Sequence, residues 1–473
     1  MDYKYDNSKV FKYFEEISQI PRGSYNEKEV SDYLVSIAKE NGCEYEQDEK
    51  YNVYIRKPAT KGYENSPGVI IQGHMDMVCE KANDSNHDFK KDAIELIKKG
   101  DFIHANKTTL GADNGIAIAM GLAILSDDTL EHPELELIFT TSEEEGLDGV
   151  NNLRKGLLKG KYMINIDTEE EGVLIAGCAG GETIDLKFKN QYEKSWDKAY
   201  EMHISEFRGG HSGMEIAKGY LNAIKVSGEI LERLREEIDF RLVKIDAGTK
   251  HNAIPRDSKI IITTKEDLDI DLLNELFEKY KQIEKDALID IKFLDSVKKQ
   301  LSKEQTNSII NILNEMPNGV FNYMEGKYSD IVETSCNVAI FNMTEEETDI
   351  TISIRSSKIA KSKEIFEIFK GIADKYNMDL ETDGGYNPWE FSEESKLREI
   401  AADLYKKMYN EDIEISVIHA GLECAVFEEK YPDLDIISMG PNIYNAHTPE
   451  EKLSISSTQK VYDYVVELLK TIK

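Results

Sequence analysis

The chain has 473 residues, 40% of them hydrophobic, and a formal net charge of −32 at pH 7. This length exceeds what one ordinary hydrophobic core spans and therefore predicts two domains. The negative charge argues against a nucleic-acid or anionic-membrane partner, because both bind basic surfaces. The start of the chain lacks a basic segment followed by an apolar one, and no run of about 18 apolar residues occurs, so we expect neither a signal peptide nor a membrane span.

The cysteines indicate the expected compartment. They lie at positions 43, 79, 178, 336 and 424, an odd number without the Cys-x-x-Cys spacing of a metal-binding or redox pair. Such usage is typical of reduced thiols, so we expect a cytoplasmic protein.

The chain begins with alternating helices and strands. Ser24 and Glu27 have the spacing of a capping box, which predicts a helix through residues 29–40 that ends at Asn41 and Gly42. Farther along, short continuous apolar runs alternate with a helical stretch, which is typical of a parallel sheet covered on both faces. The apolar runs lie at residues 68–73, 135–141 and 161–166, and the helical stretch lies at 115–126.

The middle of the chain has a different pattern of polar and apolar residues. Its predicted strands alternate polar with apolar residues, as in residues 349–357, which is typical of an antiparallel sheet with one face towards water. Helices at 223–238 and 364–376 would cover the other face. The α/β pattern then returns, with a helix at 395–409, a strand at 434–440 and a last helix at 457–473.

The predicted architecture is an α/β fold interrupted by an insertion. A three-layer domain with a mostly parallel sheet comprises residues 1–185 and 385–473, and an α+β domain with an antiparallel sheet comprises residues 186–384. In open α/β sheets, ligand sites form at the carboxyl ends of the strands, where loops converge. The functional residues are therefore expected in the loops that follow the strands.

Imidazoles and carboxylates follow these strands. The residues concerned are His74, Asp76, Asp113, Glu143, Glu144, Asp167 and His447. This mixture suits zinc, manganese or cobalt better than calcium. A shared carboxylate such as Asp113 would bridge two ions about 3.5–4 Å apart. Each motif alone has a simpler explanation, such as a solvated acidic turn at 143–145 or a helix-dipole charge at Asp113, but their common position after strands favours a dinuclear metal site.

The motifs together resemble those of the dinuclear-zinc exopeptidases, in particular the aminoacyl-histidine dipeptidase (Xaa-His dipeptidase, carnosinase-like) branch. The match runs in order over nearly the whole chain. The motifs that carry it are GHMDMV, TLGADNGIAIAM, SEEEGLDG, NIDTEEEG, GGHSGMEI, HNAIPR, HAGLECA and NAHTPEE. The resemblance implies a catalytic domain interrupted by a lid and dimerisation domain at residues 186–384, and a homodimer.

The resemblance also implies a ligand set. One metal would be held by His74 and Glu144, the other by Asp167 and His447, with Asp113 bridging both. Asp76 would accept the second ring N–H of His74, which fixes the tautomer and basicity of that ligand. A cis peptide bond is implied between Asp113 and Asn114.

Glu143 is implied as the general base, with Glu144 as a ligand and Glu145 as a spectator. Two metal ions would activate a bridging water. Glu143 would take a proton from this water and pass it to the leaving nitrogen. A shift of one residue in the alignment would exchange the roles of Glu143 and Glu144. His211, in a glycine-flanked loop of the lid, is implied as the donor to the oxyanion, in its own or a partner subunit's site.

Three further residues are expected to bind substrate. Arg355 projects from the polar face of its predicted strand, and its planar guanidinium suits a C-terminal carboxylate. A solvated strand arginine is the alternative. Asn252 and His419 are plausible further contacts to the substrate.

These features predict a metallo-dipeptidase that hydrolyses unblocked dipeptides, either Xaa-His or a broader set. Two divalent ions are expected, with zinc favoured and manganese or cobalt as alternatives. A related N-acyl amino acid deacylase, aminotripeptidase or carboxypeptidase is the alternative enzyme. A metal-binding scaffold without catalysis is a more distant one.

Overall fold

The computed structural model describes residues 8–473. The chain divides into two compact units. Among the described residues, the first contains residues 8–177 with Phe391–Val417 and Leu422–Lys473, and the second contains Cys178–Glu390 and Ile418–Gly421. The second unit is therefore an insertion in the chain of the first.

The boundaries of the units differ from those predicted at residues 185 and 384. Residues 178–185 belong to the second unit because the strand Gly180–Lys189 pairs there with Glu347–Ser356 and Asp379–Tyr386. The predicted boundary therefore cuts through this strand. The short return of Ile418–Gly421 to the second unit has no counterpart in the sequence pattern.

Within the described residues, the first unit contains a sheet of eight strands, and parallel pairing joins its four central strands. Every residue of Val69–His74 and Leu135–Thr140 is buried, as expected of strands covered on both faces. Antiparallel pairs flank this centre, so the α/β fold is confirmed with a mixed sheet. The spatial order is Glu44–Gln47, Val53–Lys57, Leu135–Thr140, Val69–His74, Tyr162–Asn165, Asp435–Ser438, Val173–Cys178 and Glu414–Ile418.

Helices pack against this sheet. The helix Ala112–Leu125 is apolar on all sides, and each of its side chains except that of Asp113 is buried, which is typical of a helix inside a core. The other helices of this unit are Lys9–Ile17, Lys28–Glu40, Asp148–Asn152, Lys396–Tyr409, Cys424–Lys430 and Ile455–Thr471. A small sheet consists, in order, of Ile443–Tyr444, Lys452–Ser454, Phe102–Ala105 and Leu96–Lys99.

The helix Lys28–Glu40 is present, but the capping box predicted at its start is wrong. Its N-terminus has no side-chain cap. The Ser24 hydroxyl instead donates to Oδ2 of Asp76 at 2.8 Å, and Oε1 of Glu27 accepts hydrogen bonds from Ser142. Both side chains make long-range contacts in place of local ones.

The second unit contains, within the part of the chain that is described, an antiparallel sheet of nine strands. In the strand Glu347–Ser356 the isoleucines at 350, 352 and 354 are buried, as the alternation predicts. The order is Leu288–Leu294, Lys198–Ser205, Ser258–Thr264, Phe240–Ala247, Val332–Met343, Glu347–Ser356, Gly180–Lys189 and Asp379–Tyr386, with Gly319–Tyr323 pairing to Val332–Met343.

Helices and short ribbons complete the second unit. Its helices are Ala223–Glu237, Ile270–Ile283, Lys303–Glu315 and Ile359–Tyr376, with single 3₁₀ turns at Ile216–Lys218 and Gly326–Tyr328. One ribbon pairs Gly210–His211 with Ala253–Ile254, and another pairs Tyr192–Lys194 with Lys299–Leu301. Among the helices of residues 8–473, none has both the length and the apolar character needed to cross a membrane.

Candidate metal centre and substrate-binding residues

Three neighbouring strands end at the same edge of the first unit's large sheet. Val69–His74 pairs in parallel with both Leu135–Thr140 and Tyr162–Asn165. His74 is the last residue of its strand, the loop 141–147 follows the second strand, and Asp167 follows the third. The topology thereby collects at one edge polar residues that lie far apart in the sequence.

The side chains of the predicted ligands lie close together. Nε2 of His74 is 3.1 Å from Oδ1 of Asp113 and 3.6 Å from Oδ1 of Asp167. Nε2 of His447 is 3.0 Å from the other Asp113 oxygen and 3.1 Å from Oε2 of Glu144. The five residues form two groups, each with ligand atoms within 4.8 Å of one another, and Asp113 belongs to both.

This grouping differs from the predicted pairing. Asp167 lies with His74, and His447 lies with Glu144, whereas no group among the described residues joins Asp167 with His447. A third group joins His74 to Glu144 and to its neighbour Glu143. Strand order places His74 beside both Glu144 and Asp167, because Val69–His74 lies between the strands that precede them. The grouping is therefore decided by side-chain positions, which one sequence does not show.

The helix Ala112–Leu125 has an unusual backbone in its first turn, where φ and ψ of Asp113 and Asn114 are not helical. The peptide bond between Asp113 and Asn114 is cis, as the resemblance implies. Oδ1 of Asn114 accepts a hydrogen bond from the backbone N–H of His74 at 3.1 Å, and its Nδ2 donates to the carbonyl of Ile166 at 2.5 Å. Asn114 therefore connects the first turn of the helix that carries Asp113 to the strand of His74.

Asp76 is a completely buried carboxylate beside His74. Its Oδ1 lies 3.3 Å from Nδ1 of His74 and accepts the backbone N–H of Glu143 at 3.0 Å. Its Oδ2 accepts the backbone N–H of Glu144 at 3.2 Å and the Ser24 hydroxyl. One side chain thus restrains both a predicted ligand and the loop that carries the two glutamates.

The charges of the cluster shift its pKa values. Burial raises the pKa of Glu143 well above its ordinary range. Burial also disfavours the charged form of Asp113, but hydrogen bonds with His447 and His74 lower its pKa below the ordinary value. Hydrogen bonds with Asp113 and Glu144 raise the pKa of His447 to about 11. Carboxylates outnumber cationic groups here, which suits a divalent cation.

The residues present fit metal ions. Imidazole nitrogen and carboxylate oxygen together are the donors that zinc, cobalt and manganese accept. Oε1 of Glu144 is buried and has no hydrogen-bond partner within residues 8–473, although buried polar atoms are normally paired. A cation bound by the two groups would satisfy this oxygen, so we identify a candidate metal site.

Sequence reasoning missed the buried residues that support this edge. Arg22, 2% exposed, donates to the carbonyl oxygen of Gly111 at 2.5 Å and to that of Met75 at 2.9 Å. The Glu451 carboxylate accepts backbone N–H groups across residues 110–113. Glu451 lies in the motif NAHTPEE, where a charged residue without an expected metal was the available signal.

Glu423 is a further residue that the sequence did not reveal. It is fully buried, and its Oε2 accepts hydrogen bonds from Nε2 of Gln72 at 2.5 Å and from the Thr140 hydroxyl at 2.6 Å. Gln72 in turn accepts a hydrogen bond from Nδ2 of Asn165 at 2.5 Å. The network joins the three strands whose ends carry the predicted ligands.

In the second unit, three predicted residues converge on Gly213. A Cβ atom at Gly213 would lie 2.3 Å from the carbonyl oxygen of His419, 3.1 Å from the ring of His211 and 3.2 Å from Cδ of Arg355. The carbonyl of Asn252 accepts the backbone N–H of the residue before Gly213 at 2.9 Å. The structure therefore brings His211, Arg355 and His419 together, with Asn252 directly before the strand Ala253–Ile254, which pairs with Gly210–His211.

Local contacts define the states of the two histidines. Nδ1 of His211 accepts the backbone N–H groups of Gly213 at 3.2 Å and Met214 at 3.1 Å, so the neutral ring carries its proton on Nε2. Burial, and after it the positive charge of Arg355, lowers the pKa of His419 to about 3. His419 therefore offers a hydrogen bond at neutral pH, and Arg355 supplies the positive charge.

Comparisons with known proteins agree with this geometry. The model of peptidase family M20/M25/M40 matches residues 70–471. The chain is 37% identical over 469 residues to the cytosol non-specific dipeptidase of Escherichia coli (strain K12), covering 97% of this chain and 96% of that protein. The crystal structure of aminoacylhistidine dipeptidase from Vibrio alginolyticus matches with a TM-score of 0.85 and 34% identity, covering 99% of this chain and 98% of that one.

A more distant structure shares the fold alone. A tripeptidase from Staphylococcus aureus subsp. aureus mu50 matches over 98% of both chains with a TM-score of 0.57 at 15% identity. The family match, in contrast, includes His74 and His447 and everything between them. The resemblance indicated by the motifs is confirmed, and the chain belongs to peptidase family M20/M25/M40.

Proposed function

We propose that this protein is a cytoplasmic, metal-dependent dipeptidase that hydrolyses unblocked dipeptides, Xaa-His among them. The observation that carries the proposal is the pair of ligand groups joined by Asp113, because two cation sites that share a carboxylate are typical of dinuclear hydrolases. The similarity to the cytosol non-specific dipeptidase and to aminoacylhistidine dipeptidase supports dipeptides as the substrate class.

Two divalent ions, with zinc expected, would occupy the groups. His74 and Asp167 would hold one ion and Glu144 and His447 the other, with Asp113 shared. When bound, such ions lower the pKa of a water molecule and polarise the scissile carbonyl.

Glu143 is the general base in this proposal. Its carboxylate takes a proton from the attacking water as the water oxygen bonds to the carbonyl carbon. The same carboxyl group then gives that proton to the leaving nitrogen as the carbon–nitrogen bond breaks. The hydrogen bond from the Glu143 backbone to Asp76 supports this role, because it restrains the base beside the ligands.

Residues of the second unit bind the substrate in this proposal. His211 donates through Nε2 to the oxygen that becomes negative in the transition state. Arg355 grips the C-terminal carboxylate with two hydrogen bonds, and Asn252 and His419 add neutral hydrogen bonds.

The proposal includes a homodimer. Leu288–Leu294 is an edge strand of the nine-stranded sheet, and its side chains Leu288 and Phe293 are 47% and 58% exposed. An exposed apolar edge strand favours pairing with a second copy. Sedimentation velocity tests this assignment, and a monomer at all concentrations would reject it.

Replacing Arg355 with lysine should raise KM for free dipeptides by about 10- to 100-fold with little change in kcat. Lysine keeps the charge but loses the planar pair of donors, and a hydrogen bond between charged groups contributes about 1.5–3 kcal/mol. Steady-state kinetics on a dipeptide and on its C-terminal amide measure the effect, and the amide should be insensitive. Arg241→Lys, on another strand of the same sheet, is the matched control. An equal change with the amide would contradict carboxylate binding.

A substrate panel tests the proposed function as a whole. Chelated enzyme is re-metallated with zinc, manganese or cobalt and given Ala-His, β-Ala-His, Leu-Gly, a tripeptide and an N-acetyl amino acid. We expect each effective metal to restore cleavage of the free dipeptides alone. Cleavage of the acetylated substrate instead would indicate a deacylase. Metal uptake without turnover of any substrate would leave a binding scaffold.

A further inference from the structure

Glu27 makes a contact that the proposed mechanism does not use. Its side chain is buried, 3% exposed. Its Oε1 accepts both the backbone N–H of Ser142 at 2.9 Å and the Ser142 hydroxyl at 3.0 Å. Ser142 directly precedes Glu143, so a buried carboxylate from the N-terminal part of the chain holds the residue next to the proposed base.

Ser142 has a left-handed backbone, with φ of 51°. In this region the Cβ atom of a non-glycine residue crowds its own backbone, so the conformation costs free energy. Such a conformation persists only where the surroundings enforce it, and functional sites are where it is found most often. Glu27 satisfies both hydrogen-bond donors of Ser142 in this conformation.

Neighbours of Glu27 restrain the same loop from other directions. The Tyr25 hydroxyl donates to the carbonyl oxygen of Glu145 at 2.7 Å. The Ser24 hydroxyl donates to Asp76, whose carboxylate also accepts backbone N–H groups of the loop. Among these contacts, those of Glu27 are the ones made to Ser142 itself.

We propose that Glu27 is a positioning residue that holds Ser142 in its left-handed conformation and thereby aims the carboxylate of Glu143. The inference rests on the proposed role of Glu143 as general base. Starting the helix Lys28–Glu40 does not require the Glu27 side chain, because the first helical bond runs from the Ser31 N–H to the backbone carbonyl of Glu27.

A double-mutant cycle on kcat, KM and metal content tests the role. Glu27→Ala should lower kcat by about 10- to 100-fold, because a misplacement of about 1 Å can cost about 10²-fold. KM and bound metal should stay unchanged. Glycine adopts positive φ at no steric cost, so in a Ser142→Gly background Glu27→Ala should lower kcat by less than about threefold.

Conservative variants and a stability control separate positioning from folding. Glu27→Gln keeps an acceptor oxygen and should lose less activity than Glu27→Ala. Glu136→Gln is the matched control, since Glu136 is another buried carboxylate that accepts backbone N–H groups, at the opposite end of the strand Leu135–Thr140. Thermal unfolding is measured for every variant. If Glu27→Ala lowers kcat equally with and without Ser142→Gly, the inference is overturned. It is also overturned if Glu27→Ala changes only KM or metal content.

Glu143→Gln is measured in parallel so that the two claims fail separately. If Glu143→Gln has the kcat of the wild type, Glu143 is not the general base, independently of the result for the Glu27 variants. An inactive Glu143→Gln combined with wild-type kcat in Glu27→Ala keeps the base and overturns the positioning role. If Glu27→Ala does not fold, Glu27→Asp takes its place in the cycle, because aspartate keeps the charge but is too short to reach Ser142. The decrease in kcat caused by Glu27→Asp should again be smaller in the Ser142→Gly background.

Discussion

Replacing Glu143 with glutamine should lower kcat for dipeptide hydrolysis by about 10²- to 10⁴-fold, the range that a positioned general base contributes. Glutamine keeps the shape of the side chain but cannot carry the proton from water to the leaving nitrogen. Metal content should stay at the wild-type level, because Glu143 lies outside the two groups that share Asp113. Steady-state kinetics and metal analysis of the same preparation measure both quantities.

Glu144 provides the matched control for this experiment. Its Oε2 lies 3.1 Å from Nε2 of His447, in a group with Asp113. Glu144→Gln should therefore lower metal content together with activity, whereas Glu143→Gln should lower activity alone. A third group contains both glutamates, so the comparison of the two variants distinguishes their roles. If Glu143→Gln lost metal and Glu144→Gln lost activity alone, the two roles would be exchanged. If Glu143→Gln kept its activity, Glu143 would not be the general base.

The sequence predicted which residues end the strands, but not which strands are neighbours. Continuous apolar runs identified Val69–His74 and Leu135–Thr140 as buried strands, and ligands at their ends followed from the general rule for α/β sheets. Strand order is a long-range property that a local pattern does not contain. In the structure Asp167 lies in a group with His74 rather than with His447, and the side-chain positions that decide this are likewise absent from the sequence.

The contacts of Ser24 and Glu27 show a second limit of prediction from local sequence patterns. A serine followed three residues later by glutamate is the signature of a capping box, because that spacing brings the two side chains to the first turn of a helix. Here their partners are Asp76 and Ser142, which come from elsewhere in the chain. Spacing alone does not distinguish a residue that caps its own helix from one that reaches a distant loop.

The buried residues that support the metal site, Arg22 and Glu423, could not be predicted from the sequence for a related reason. Arg22 and Glu423 are fully buried, although charged side chains are rarely buried without partners. Their partners are backbone carbonyl groups for Arg22 and the side chains of Gln72 and Thr140 for Glu423. Neither kind of partner leaves a pattern in the sequence. The family motif HAGLECA contains Glu423, but only the three-dimensional contacts explain its burial.

Asp113→Asn should have an effect as large as that of Glu143→Gln, but through the loss of metal. One carboxylate oxygen of Asp113 lies 3.1 Å from His74 and the other 3.0 Å from His447, so the two groups meet at this side chain. Asparagine retains one oxygen and carries no charge. Since metal-ion catalysis supplies several kcal/mol and about 1.4 kcal/mol is a factor of ten, we expect kcat to fall by about 10³-fold or more.

We expect Asp113→Asn to lose more bound metal than replacement of a ligand that belongs to only one group. Metal content after dialysis and binding of added zinc are compared for Asp113→Asn and His447→Ala. Asp101→Asn is the control, because Asp101 is a carboxylate outside the cluster that accepts the backbone N–H of Ser456 at the start of the helix Ile455–Thr471. His447→Ala should weaken one site, because His447 belongs to one group, and Asp113→Asn should weaken both. If Asp113→Asn binds two ions with wild-type affinity, Asp113 is not shared. The two groups would then be separate sites, and a water activated between them could not be the nucleophile.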